Sequence, residues 1–263
     1  MADKEGAAGA ERKTDVIYFF RDKQLPVVKA WQEMFAKYPE TIQISHGDIF
    51  KKAPAADAIV SPANSFGFMD GGIDMTYSLH FGWQMQERLQ KVIRKEKDGE
   101  LLVGDAVIIP AFGEADSEEE TKDWSQYNEG QPIKFLISAP TMRIPCDVSR
   151  SINAYLAFRA IILAVKKHNS NSDNEPIKSI LCPGLGTAVG RMPATRCAYQ
   201  MLKAYETFEL GLHTNRLQPY DLYKMYIDHE EMCEFLSEEE IATWEKQDDD
   251  GTRTQHKEWK EEG

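Results

Sequence analysis

At 263 residues the chain can bury a sizeable core, and one large domain with extensions is the default reading. Its formal net charge of −12 argues against non-specific binding to nucleic acid or to anionic membrane, both of which need basic surface. A negatively charged small ligand stays possible, since local backbone donors and dipoles suffice to hold one. Four widely spaced cysteines (Cys146, Cys182, Cys197 and Cys233) show no metal-ligand pattern and suggest reduced thiols. No apolar run approaches the roughly 18 residues of a membrane helix, and the first 14 residues lack a signal-peptide core. The expectation is a soluble, cytoplasmic protein without a metal or cofactor, the nucleus being left open.

In chain order, residues 1–13 are small and polar and read as a disordered leader. Residues 16–20 form a strand candidate, and Val27, Val28, Trp31, Met34 and Phe35 then recur at helical spacing. Residues 41–45 alternate as a second strand and run into a polar tip, His46-Gly47-Asp48-Ile49-Phe50. Residues 58–60 are a buried third strand that turns at Ser61-Pro62, because proline has no N–H for a sheet ladder. A glycine-rich loop follows, and then one long helix from about 74 to 97 carrying Tyr77, Phe81, Met85 and Leu89. Residues 106–110 and 135–139 are the fourth and fifth strands, separated by an acidic, turn-rich surface insertion at about 114–130.

Ser149 or Ser151 can cap the next helix, whose apolar face includes Ile152, Leu156, Ile161, Ile162 and Val165. Residues 177–182 are the sixth strand, followed by a second glycine-rich loop at 183–193 and a helix over 194–210. The main domain is therefore expected at 14–214. Residues 215–263 read as an acidic, mostly helical extension with Met232, Phe235, Leu236, Ile241 and Trp244 on its apolar side, frayed from 245 onward.

Strands alternating with helices predict a three-layer α/β/α sandwich on a central mixed, mostly parallel sheet. Ligands of such sheets bind outside the carboxyl ends of the strands. Three polar or glycine-rich loops follow strand ends here, at 47–49, 64–74 and 184–190, and two of them on one edge could hold a diphosphate. Neither common nucleotide fingerprint is present. The plain structural alternative makes Asn64 a turn former and Asp74 a helix N-cap.

Taken together, the three loops resemble those of the macro domain, the ADP-ribose-binding module. Gly47-Asp48-Ile49 is similar to its G-D-I motif, and Ser61-Pro62-Ala63-Asn64 stands where the family has N-A-A-N. Gly71-Gly72-Ile73-Asp74 matches G-G-V-D, and Gly186-Thr187-Ala188-Val189-Gly190 with Pro193 resembles the second phosphate loop. The resemblance covers about 41–210. It implies that Asp48 accepts a hydrogen bond from the adenine amine, with the Ile49 backbone beside it. Asn64, next to Ala63, would bond the distal ribose hydroxyls, and Gly71, Gly72 and Ile73 would offer N–H groups near the distal ribose and phosphates. Gly186, Thr187, Ala188, Val189 and Gly190 would cradle the diphosphate. Asp74 would place or deprotonate a water near the anomeric carbon.

Two departures stand out. Asp70 occupies a position where many relatives carry glycine, and Gly190 replaces an aromatic residue that often covers the distal ribose. Tyr199, Tyr205 and Phe208 are the aromatic candidates for stacking on adenine. The implied partner is ADP-ribose or an ADP-ribosylated protein. The leading expectation is hydrolysis of mono-ADP-ribosyl bonds to acidic side chains or related derivatives, with a non-catalytic reader or an ADP-ribose 1-phosphate phosphatase as alternatives. His46 and His80 are read as structural, and Cys182 and Cys197 as small buried apolar residues.

Overall fold

The computed structural model describes residues 14–113, 123–237 and 240. The leader at 1–13, residues 114–122 of the expected insertion, Ile241, Trp244 and the tail expected to fray lie outside the described residues; the rest of that insertion, 123–130, is not all surface, since Trp124 and Asn128 are buried. Six strands form one sheet: β1 (Ile17–Asp22), β2 (Ile42–His46), β3 (Ala58–Ser61), β4 (Val107–Pro110), β5 (Phe135–Ser138) and β6 (Ser179–Cys182). Their order is β2-β1-β6-β3-β5-β4. All neighbours are parallel except β4, which runs antiparallel to β5 at the edge. The expected mixed, mostly parallel sheet is therefore present, and all six expected strands are in it.

The helices are α1 (Leu25–Met34), α2 (Gly72–Phe81), α3 (Gln84–Glu96), α4 (Asn153–Asn169), α5 (Ala194–Ala204), α6 (Thr214–Leu217) and α7 (Leu222–Glu234). Period-two alternation along the strands divides the sheet's contacts between two cores. Ala58, Val60, Ile180, Cys182 and Ile137 join α1, α4 and α5 on one face. Ile59, Leu181 and Leu136 face the opposite way, onto Tyr77 and Phe81 of α2 and Met85, Leu89 and Ile93 of α3. Those two helical layers with the sheet between them make the three-layer α/β/α sandwich.

Four expectations need correction. The single helix over 74–97 is two helices, because Gly82 at φ +94° leaves the helical region and ends α2. Asp74 is not an N-cap: Gly71 holds that position and Asp74 stands in the first turn. Neither serine is the N-cap of α4, where Ile152 takes that place, although Ser151 Oγ does accept the Asn153 N–H at 3.2 Å. The helix begun at Ala194 gives way at Tyr205–Glu209 to a wide π-type turn.

In the extension, α7 buries Met232 and Cys233 against the domain. Arg196 Nε and Gln200 Nε2 of α5 donate to the Phe235 and Met232 carbonyls at 3.2 and 2.9 Å. No helix among the described residues is long and apolar enough to cross a membrane.

Candidate functional site

A cleft of about 770 Å³ opens at the carboxyl ends of the parallel strands. Its walls come from Asp22 to Gln24 at the end of β1, Gly47 and Ile49 after β2, the loop after β3 into α2, Thr141, Met142, Ile144 and Pro145 after β5, and Pro183, Gly184 and residues 186–190 after β6. Twelve of the thirteen expected site residues line it: Ile49, Ala63, Asn64, Gly71, Gly72, Ile73, Asp74, Gly186, Thr187, Ala188, Val189 and Gly190. Asp48 is the one that does not, although both of its neighbours do.

Buried Arg21 sets the shape of the first loop. Its guanidinium donates to the Asp48 and Lys51 carbonyls at 2.6 and 3.0 Å and to Ser45 Oγ at 2.8 Å. A Cβ at Gly47 would stand 2.5 Å from that guanidinium, so a side chain there would push Arg21 off its acceptors. The Asp48 carboxylate accepts the Phe50 and Lys51 N–H groups at 3.0 and 3.2 Å and pairs with Lys23 Nζ at 2.7 Å. Partial burial alone would raise its pKa, but these donors hold it down at about 2.

The second loop is braced by Asn64. Asn64 Oδ1 accepts the N–H groups of Phe66 and Phe68 at 3.1 and 3.2 Å, and Nδ2 donates to the Phe68 carbonyl at 2.9 Å. The turn-forming role is thus real, in a residue that also lines the cleft. Gly71 and Gly72 open α2 with free space where a Cβ would be, and Gly72 lies at φ +56°. Asp74 follows them in the cleft wall at 3% exposure, accepting the Ser61 hydroxyl at 2.6 Å. Burial pushes its carboxyl up to about 7, against the opposing pull of that hydroxyl.

The third loop closes on itself. The Met192 N–H reaches the Gly186 carbonyl at 3.0 Å, and the Gly190 carbonyl accepts the Val148 N–H at 2.9 Å. Gly186 needs its φ of +74°. A Cβ at Gly190 would meet the Gly186 carbonyl oxygen at 2.5 Å and Val148 Cγ2 at 2.6 Å, so no side chain fits there. Asp22 Oδ2 accepts the Gly184 N–H at 2.9 Å and ties this loop to the end of β1.

The three aromatic candidates for base stacking are all elsewhere. Tyr205 is in the core, Tyr199 stacks on Phe235 at 3.9 Å, and Phe208 packs near Tyr155. Cys182 and Cys197 are buried, and burial raises both thiols, Cys197 to about 12. His80 stacks on Phe50 at 3.6 Å. Among the described residues, no group of histidine, cysteine, aspartate or glutamate side chains could hold a metal ion.

No family model matches the chain. An uncharacterized protein of Aquifex aeolicus (strain VF5) is 28% identical over 193 residues, spanning 73% of this chain and 88% of that protein. The macrodomain of Mycobacterium tuberculosis DarG superposes with a TM-score of 0.45 at 20% identity, covering 62% of this chain and 88% of its own. A variant of the Oceanobacillus iheyensis macrodomain with ADPR gives a TM-score of 0.42 at 21% identity, covering 59% and 73%. The structural resemblance is to macrodomains.

Besides the expected residues, the cleft is lined by Arg21, Asp22, Phe66 and Phe68. Asp22 had a usable signal, since it ends a parallel strand where ligands of such sheets bind. Phe66 had none, as its ring is paired with Arg143, whose guanidinium carbon lies 5.0 Å from the ring centre.

Proposed function

We propose that the cleft binds ADP-ribose and that the chain is a macrodomain-type hydrolase. Its substrates would be mono-ADP-ribosyl bonds to acidic side chains or related ADP-ribose derivatives. The observation that carries the catalytic part is Asp74, a carboxyl in the cleft wall directly after the open backbone of Gly71 and Gly72. The N–H groups at the start of α2 suit the ligand's phosphates, and the adjoining carboxyl suits a water poised at the distal ribose. A group ionising near 7 is well matched to general-base work at neutral pH.

In this reading water attacks the anomeric carbon and its proton passes to Asp74. The bond from that carbon to the acceptor oxygen breaks, and the acceptor departs as a carboxylate. Residues 186–190 hold the diphosphate through backbone groups, in keeping with an acidic protein. Asp48 stands beside the cleft wall rather than in it, and it would meet the adenine amine once its half-buried carboxylate gives up or shares Lys23. Residues 14–214 form the binding domain, with ADP-ribosylated protein as its partner.

A reader without turnover is the second reading. It is favoured by Asn64, whose amide is already engaged within its own loop. Calorimetric titration of ADP-ribose, with adenosine monophosphate as control, followed by release assays on ADP-ribosylated protein, separates the two. Micromolar binding with release of free ADP-ribose supports the hydrolase, and binding alone supports the reader. No heat at several temperatures overturns both.

A further inference from the structure

We propose that Phe68 is the wall that covers the distal ribose, and that Asn64 is a positioning residue that acts by holding Phe68 in place. The proposal rests on the ADP-ribose reading of the cleft. It starts from Gly190, whose backbone at the mouth of the third loop admits no side chain. The third loop cannot supply the cover at that position. Phe68, on the opposite loop, is 52% exposed yet lines the cleft, and its ring meets no other aromatic ring among the described residues.

An exposed phenylalanine normally retracts if its backbone permits, because burial of its ring is favourable. Here the backbone does not permit it. Gly67, at φ +68°, lies against Ile93 and Leu89, where a Cβ would come within 2.9 Å of Ile93 Cδ1. Met69 is fully buried, its N–H held by Gln86 Oε1 and its carbonyl by Ser78 Oγ, both at 2.7 Å. Between these two anchors, Asn64 occupies both backbone groups of Phe68, at 3.2 and 2.9 Å. The loop thus presents the ring two residues before Asp70 and the helix start that would face the distal sugar. An aromatic face held without cost at binding is an effective platform for a sugar ring.

The test is a calorimetric comparison of ADP-ribose with ADP, which keeps the base and diphosphate but lacks the distal ribose. Phe68→Ala should weaken ADP-ribose about tenfold and leave ADP within about twofold, and Phe68→Tyr should restore ADP-ribose affinity. Equal loss for both ligands, or no loss for either, overturns the assignment of Phe68. Asn64→Ala should weaken ADP-ribose in the wild-type background and add less than about twofold in the Phe68→Ala background. A full, additive loss there means that Asn64 touches the ligand directly and overturns its positioning role. Failure of the wild-type protein to bind ADP-ribose at all would instead strike the underlying reading, and this inference with it.

Discussion

Asp74 combines a catalytic opportunity with a cost to the fold. As general base it must be ionised, so the rate of ADP-ribosyl hydrolysis should rise with pH and level off above about 7. Asp74→Asn should lower turnover by about 10²- to 10⁴-fold while changing ADP-ribose affinity little, a split that rate and calorimetric measurements resolve. Retained turnover would remove Asp74 from the mechanism. The same burial acts on stability. Unfolded, this carboxyl ionises near 3.8, and folded it ionises near 7. Between those values the native state keeps a proton that the unfolded chain has lost, so this group's contribution to stability falls as pH rises from about 4 to about 7. Asn carries no such titration. Asp74→Asn should therefore melt about 4 °C or more above the wild type at pH 8, with the advantage gone near pH 4. An advantage independent of pH in thermal scans would assign the effect to something other than the buried charge.

At the scale of the elements, the two glycine-rich loops differ in what glycine does for them. Gly190→Ala puts a methyl group 2.5 Å from the Gly186 carbonyl, so the third loop must shift; a loss of about 1–3 kcal/mol of stability and at least tenfold in ADP-ribose affinity is expected. Gly71→Ala meets nothing within 4 Å, and at φ −144° any residue is tolerated. Its melting temperature should stay within about 2 °C of the wild type, whereas affinity falls if the ligand's phosphates approach that backbone. Equal melting losses in the two variants would contradict the difference in packing. The strands were legible as short runs that are apolar, as in β3 and β5, or alternating, as in β2. The break between α2 and α3 was not, because Tyr77, Phe81, Met85 and Leu89 keep one i+4 series across Gly82 and both helices bury that side in one core. Nor could sequence show that Arg21 braces the backbone at Asp48 or that Asp22 bonds Gly184, partners 27 and 162 residues apart. The motifs located the cleft, and these long-range bonds fix its shape.

On the scale of the whole molecule, the extension reaches the third loop through one buried side chain. Arg196, 2% exposed on α5, donates from Nε to the Phe235 carbonyl at 3.2 Å and from Nη1 to the Ser149 carbonyl. The next residue back, Val148, donates its N–H to the Gly190 carbonyl at 2.9 Å and packs beneath Gly186 and Gly190. The end of α7, the start of α4 and the third loop therefore share one hydrogen-bonded seam, although Arg196 itself does not line the cleft. Arg196→Leu keeps the apolar bulk and removes both donors, leaving two carbonyls without their partner. At about 1–3 kcal/mol for the buried Ser149 acceptor and less for the part-buried Phe235 carbonyl, the variant should lose roughly 1–4 kcal/mol in denaturant unfolding. If the seam carries the support, amide exchange should quicken at both Val148 and residues 186–190, and ADP-ribose affinity should fall with it. Faster exchange confined to α7 would mean that the extension only packs on the domain and leaves the cleft to stand on the sheet alone.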